Sequence, residues 1–249
     1  MLPNELPARV TVIIQARMNS TRLPGKVLLP LPLQGSTTVL GHVVGRARQV
    51  GAAQVVVATS TLAADDALAE TAQALGAAVF RGDEQDVLAR FAGALAQFPA
   101  DVLVRITADN PAIDPAVVRT AVAHHLATAA DYTLTTGLPL GTNVEVVGAE
   151  ALRQAHAQAR LPAEREHVTP YLRNHPEQFR LETLPLAVPG AVQCLRLTID
   201  YPSDYALLNL LYSQLAPDFS LTADEALSAL LARYPWLAHI NHQNVQVQA

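Results

Sequence analysis

Apolar, β-branched runs alternate with helix-length amphipathic stretches along the first half of the chain. Val12-Ile13-Ile14 reads as a buried strand, and residues 54–58, 78–80 and 101–106 read as three more. Between them, Ser36-Thr37-Thr38 caps a helix running to about residue 49, with Leu40, Val43, Val44 and Ala47 on one face. Asp65-Asp66 starts a second helix through Leu68, Ala72 and Leu75, which Gly76 stops. A third spans about 84–97, and Asp114-Pro115 opens a fourth with Asp at the cap and Pro at the first helical position. Repeated strand-then-helix units predict an α/β fold with a mostly parallel central sheet flanked by helices.

The second half is less regular. Residues 131–136 and 143–147 read as strands around the turn Gly137-Leu138-Pro139-Leu140-Gly141. Helices are expected over 149–159 and 164–174, a strand over 195–199, and a helix from the Asp200-Tyr201-Pro202-Ser203-Asp204 segment to about 214. Thr222-Ala223-Asp224-Glu225 forms a capping arrangement for a last helix ending near 234. With no repeat and no linker-like tract, residues 1–249 are expected to form one domain with a small additional substructure in the second half.

Composition narrows the function classes. A formal net charge of -5 argues against a general nucleic-acid binder. Cys194 is the only cysteine, which excludes a disulfide framework and a cysteine-rich zinc site. The segment Met1 to Arg9 lacks the apolar run of a signal peptide, and no apolar run is long enough to span a bilayer. A cytoplasmic location without membrane association is the expectation.

The candidate chemistry begins after the first strand. The loop through Arg17, Met18, Asn19, Ser20, Thr21, Arg22, Leu23, Pro24, Gly25 and Lys26 carries three cations and two hydroxyls. Arg forks and a Lys point charge suit a polyphosphate; a solvated basic loop would carry the same residues. Asp109 and Asp200 each follow an expected strand, and as a pair above one sheet edge they would suit Mg²⁺ shared with a nucleoside triphosphate. Taken singly, each could simply cap the turn that follows it. Glu145 and the run Arg165-Glu166-His167-Val168-Thr169 could face an acceptor or serve only the fold. His239 and His242 read as structural, having no acidic or thiolate partner nearby. No Walker loop, dinucleotide fingerprint or nucleophile elbow is present.

Together with Arg105-Ile106-Thr107-Ala108-Asp109-Asn110-Pro111, the first loop and the Asp200 segment form a recognisable set. On these motifs the chain resembles the spore-coat polysaccharide biosynthesis cytidylyltransferase-like family and, more distantly, the CMP-sialic acid and CMP-KDO synthetases. Ala58-Thr59-Ser60, Arg81-Gly82-Asp83 and Arg165-Glu166-His167 add support, and the likeness runs over about residues 10–241. It implies a Rossmann-like, GT-A-like nucleotide-diphospho-sugar transferase fold. About 10–130 would be the nucleotide-binding half, and about 131–241 the acceptor-binding half with a possible dimerisation role. Also implied are CTP, Mg²⁺, a homodimer, and transfer of CMP to an anionic sugar with release of pyrophosphate.

By matching motif, Arg17, Arg22 and Lys26 would hold the triphosphate, and Asp109 and Asp200 the metal. Thr59, Ser60, Arg81 and Gly82 would line the base and ribose pocket, and Glu145, Arg165 and His167 would face the acceptor. Asn110 departs from the KDO enzymes, which have an acid there. Two other readings compete: a metal-dependent glycosyltransferase using a nucleotide sugar, and a noncatalytic nucleotide-binding protein.

Overall fold

The structure is a computed structural model and describes residues 9–222 and 225–245. Strand β1 (Val10–Gln15) leads through a single 3-10 turn at Lys26–Leu28 to helix α1 (Val39–Arg48), whose first turn is capped by the Thr38 hydroxyl accepting from Gly41 N at 3.0 Å. β2 (Gln54–Ser60), α2 (Asp66–Ala74), β3 (Ala78–Gly82), α3 (Val87–Gln97), β4 (Val102–Thr107) and α4 (Pro115–Thr128) follow in the expected order. Gly76 ends the α2 region at φ 76°, where a Cβ would be strained. The second half runs β5 (Tyr132–Thr136), β6 (Glu145–Gly148), α5 (Ala149–Gln158), α6 (Pro162–His167), α7 (Pro170–Asn174), β7 (Leu181–Pro185), α8 (Gly190–Gln193), α9 (Pro202–Gln214) and α10 (Glu225–Arg233).

The strands form one seven-stranded sheet in the order β3-β2-β1-β4-β6-β5-β7. β1 lies between β2 and β4 and is parallel to both, whereas β6 runs antiparallel to β4 and β5. The chain builds outward from β1 to β3 and then returns to place β4 on the other side of β1. A crevice therefore opens above the carboxyl ends of β1 and β4, where ligands bind in open α/β sheets. Strand alternation divides the core: Val12 and Ile14 pack with Leu40, Val43 and Val117 on one face, and Ile13 packs with Leu88, Phe91 and Leu152 on the other. A third cluster, built around Leu207, Leu208, Leu211, Leu227 and Leu231, is the additional substructure.

Several boundaries differ from the sequence reading. Residues 164–174 are two helices rather than one, broken at Val168 with φ 72° and ψ -53°. Thr169 N reaches back to His167 O at 2.8 Å, a strained γ-turn at a β-branched residue. Residues 195–199 are not a sheet strand and bend at Thr198. They make one isolated bridge, Leu140 to Arg196, because β5, β6 and β7 already fill that side of the sheet. Edge strand β7 had no sequence counterpart, and neither did α8. Helix α10 is present, but Ala223 and Asp224 of its expected cap lie outside the described residues. Among the described residues no helix is long and apolar enough to cross a membrane.

Candidate active site

The crevice is a cleft of about 750 Å³ lined from both halves of the chain, with Arg17, Arg22, Lys26, Asp109, Glu145, His167 and Asp200 on its wall. Gly25 enters the 3-10 turn at φ 69°, a left-handed conformation that glycine adopts without strain, and this turns Lys26 inward. Lys26 is 8 % exposed, and its ammonium meets Asp109 Oδ2 at 2.6 Å, Asp200 Oδ1 at 3.1 Å and the Ile199 carbonyl. Three donors thus meet three oxygens, and the cation stands between the two carboxylates.

Asp109 is delivered by the end of β4, where it also accepts from Thr107 Oγ1 at 2.6 Å. Burial pushes its carboxyl pKa up, but Lys26 and the Thr107 hydroxyl outweigh that and hold it below the usual carboxylate value. Asp200 reaches the same point without a sheet strand. Ile199 N donates to the Asp109 carbonyl at 2.9 Å, which ties the 195–199 segment to the end of β4. Asp200 then accepts from Arg22 at 3.0 Å and from Arg196 at 2.8 Å, so three cations surround it. Behind it, the fully buried Asp204 accepts from the Asp200 and Tyr201 amides at 2.9 Å, from Arg196 Nε, and from Asn241 and Asn244.

At the other end of the cleft, Glu145 accepts from Tyr132 Oη at 2.6 Å, Thr169 Oγ1 at 2.7 Å and the Arg105 guanidinium. Burial raises its pKa, and Arg105 with the two hydroxyls more than reverses the shift, so it stays ionised. Arg105 is further braced by Gln15 Oε1 at 3.0 Å. Arg17 and Arg173 are exposed cleft residues whose guanidinium groups have no hydrogen-bond or ion-pair partner among the described residues. Asn110 Oδ1 is buried without a partner beside Asp109, although its amide nitrogen donates to Thr107 at 2.8 Å.

Thr59, Ser60, Arg81, Gly82 and Arg165 are not on the cleft wall. Thr59 and Ser60 are fully buried and donate to Asp65 Oδ2, and the other oxygen of Asp65 accepts from Met18 N at 2.7 Å. They act on the first loop through Asp65. Arg81 is spent on the carbonyls of Ser60 and Leu62, both at 2.8 Å, and on Asp66. Arg165 grips Asp86 through Nε at 2.8 Å and ties α6 to α3. Arg90, Arg173 and Arg196, by contrast, sit at or behind the cleft and are missed by the sequence reading, which holds Arg105 only as the first residue of the 105–111 motif. Arg90 and Arg196 occupy apolar-patterned runs where a cation carries no periodic signal.

The sequence matches the family described as Cytidylyltransferase over residues 11–225. It is 39% identical over 232 residues to the spore coat polysaccharide biosynthesis protein SpsF of Bacillus subtilis, spanning 91% of this chain and 95% of that one. The fold superposes on a cytidylyltransferase from Leptospira borgpetersenii serovar Hardjo-bovis with a TM-score of 0.83 at 31% identity, covering 97% of this chain and 99% of the other. A CMP:2-keto-3-deoxy-manno-octonic acid synthetase complexed with CTP shares the fold with a TM-score of 0.65 at 21% identity, covering 83% and 99%.

Proposed function

The chain belongs to the cytidylyltransferase family, and from that premise we propose that it transfers CMP from CTP to an anionic sugar, either a sugar acid or a sugar or alditol phosphate, with release of pyrophosphate. The observation that carries the reading is the Lys26 ammonium held between Asp109 and Asp200 beside the uncommitted Arg17. Paired carboxylates suit a metal, and free cations suit a polyphosphate.

A divalent ion fits this donor set. Lys26 already stands in as an internal cation among hard oxygens, and Asn110 Oδ1 is an orphaned acceptor close by. Among the described residues no group of three or more His, Cys, Asp or Glu side chains converges. Asp109 and Asp200 would therefore share Mg²⁺ with phosphate oxygens and water, the usual manner of Mg²⁺ binding at nucleotide sites. When bound, the ion would offset charge developing on the α-phosphate. Arg17, Arg22 and Lys26 hold the triphosphate and receive the departing pyrophosphate. The flexible stem of Lys26 lets its ammonium exchange carboxylates for phosphate oxygens. The acceptor oxygen attacks in line, so the protein needs no covalent nucleophile.

The acceptor would lie at the Glu145 end. Arg173, exposed and unpaired among the described residues, is suited to its anionic group, with Glu145 and His167 nearby on the wall. The SpsF likeness supports a role in surface polysaccharide or glycoconjugate synthesis; a cytoplasmic location and a homodimer joined through the second half belong to the same proposal.

Pyrophosphate release should be measured from each of the four nucleoside triphosphates, with Mg²⁺ and a pool of sugar acids and sugar phosphates. Release confined to CTP, abolished in Asp109→Ala, is expected. Release of nucleoside diphosphate from a nucleotide sugar instead would turn the reading into a glycosyltransferase.

A further inference from the structure

Arg90 lies in the first turn of α3, faces the cleft and is 2 % exposed. No carboxylate pairs with it among the described residues. Its Nη1 donates to the Asp83 carbonyl at 3.0 Å and grazes that of Glu84 at 3.5 Å, while its Nε is buried with no partner. Asp65, Asp83 and Glu84 act on Arg90 through space but none forms an ion pair with it, and a buried guanidinium without a paired counter-charge is unfavourable. Arg17 makes the imbalance worse. Burial, and then the Arg17 charge, outweigh the opposing pull of Asp65, Asp83 and Glu84 and hold the Arg90 pKa below the ordinary arginine value. The local chain is also shaped to admit this side chain. A Cβ at Gly82 would stand 3.3 Å from Arg90 Cγ and 3.1 Å from Phe80 Cε1, so a larger residue would crowd the arginine stem.

We propose that Arg90 is a nucleotide-binding residue that, together with Arg17, grips the phosphate chain of the triphosphate. The identity of the ligand rests on the nucleotidyl-transfer reading above; the existence of the anion site does not. Two neighbouring cations without an ion-pair partner among the described residues are neutralised by an anion and not by a neutral base. Arg17 shares its loop with Arg22 and Lys26, so a polyphosphate running from Lys26 to Arg17 follows one continuous cationic surface. The acceptor's anion has its own free cation in Arg173, on a different helix.

Inorganic tripolyphosphate is the direct probe, because its binding requires neither cytidine nor turnover. Calorimetric titration in a chelator compares wild type, Arg90→Gln, Arg90→Lys, Arg17→Gln and the Arg17→Gln/Arg90→Gln double variant, each with its unliganded melting temperature. The expected result is a loss of about tenfold in tripolyphosphate affinity for Arg90→Gln and a smaller loss for Arg90→Lys, with the Arg17→Gln effect non-additive to it. In turnover, KM for CTP rises while KM for the acceptor is unchanged.

If Arg90 serves only to latch the Asp83 and Glu84 carbonyls, Arg90→Gln lowers the melting temperature and leaves tripolyphosphate affinity as in wild type. That result overturns the inference. Should Arg90→Gln fail to fold, wild-type affinity in a folded Arg90→Lys overturns it equally. A rise confined to the acceptor KM moves Arg90 to the acceptor's anion and overturns the phosphate assignment. Arg90-dependent tripolyphosphate binding in a protein that releases no pyrophosphate from CTP would leave the anion site standing and the cytidylyl reading fallen.

Discussion

Asp65 and Asp66 are adjacent carboxylates that the sequence presents alike, as the opening of a helix. Their environments differ completely. Asp66 is largely exposed and pairs with Arg81 at 2.6 Å, whereas Asp65 is 2 % exposed and turns back from α2 to collect Met18 N, Ser60 N and the Thr59 and Ser60 hydroxyls. Burial raises the Asp65 pKa, and four donors reverse that shift and keep the group ionised. Asp65→Ala would orphan these donors and release the loop that carries Arg17, at a cost of about 3 kcal/mol. Asp66→Ala should cost about 0.5 kcal/mol, as for a solvent-screened pair. Urea unfolding of the two variants checks the contrast, and equal costs would show that Asp65 does not anchor the loop. Sequence pattern could not separate the two aspartates, because what distinguishes them is a partner 47 residues away. The cations followed the same logic. Lys26 and Arg22 were legible from a loop rich in charge and turn residues. Arg90, set between apolar neighbours on a helix, was not.

At the scale of elements, periodicity served well wherever an element had two neighbours to define it. β1, β2 and β4, in the middle of the sheet, are mostly apolar and buried, and α1 and α4 carry side-chain caps at Thr38 and Asp114. It failed where the pattern was right but the place was taken. Leu195, Leu197 and Ile199 are all buried and alternate like a strand, yet the segment packs beside the sheet, against the third core cluster. β7 reads weakly because its residues are half-buried or exposed at a sheet edge. The γ-turn at a buried valine has no sequence signal of its own, but Pro170, at the first position of α7, marks the break that a one-helix reading of 164–174 passes over. That break has a use: it aims the Thr169 hydroxyl at Glu145. Thr169→Val keeps the shape and removes the hydroxyl. The expected cost is about 1 kcal/mol in stability, with KM for the acceptor raised several-fold and KM for CTP unchanged. Steady-state kinetics with each substrate varied in turn tests this, and a rise confined to CTP would put Glu145 on the wrong side of the reaction.

On the scale of the whole molecule, an acidic chain sets Arg17, Arg22, Lys26, Arg90, Arg105 and Arg173 along one cleft at the reversal of strand order, and the partners in that cleft are far apart along the chain. Lys26 and Asp109 are separated by 83 residues, and Lys26 and Asp200 by 174. Asp200 is held in turn by Arg196 and Asp204, and Asp204 by Asn241 and Asn244. A chain emerging during synthesis therefore completes its nucleotide-side strands and basic loop long before the residues that steady the second aspartate exist. Chemistry is the last property this fold acquires and the first it should lose. In rising urea, turnover is expected to vanish at a lower concentration than the far-ultraviolet circular dichroism of the sheet and helices. Coincident loss of both would mean that the segment around Asn241 is as firmly set as β1 itself. Early loss would make fragments ending short of that segment inert by construction, able to grip phosphate yet unable to spend it.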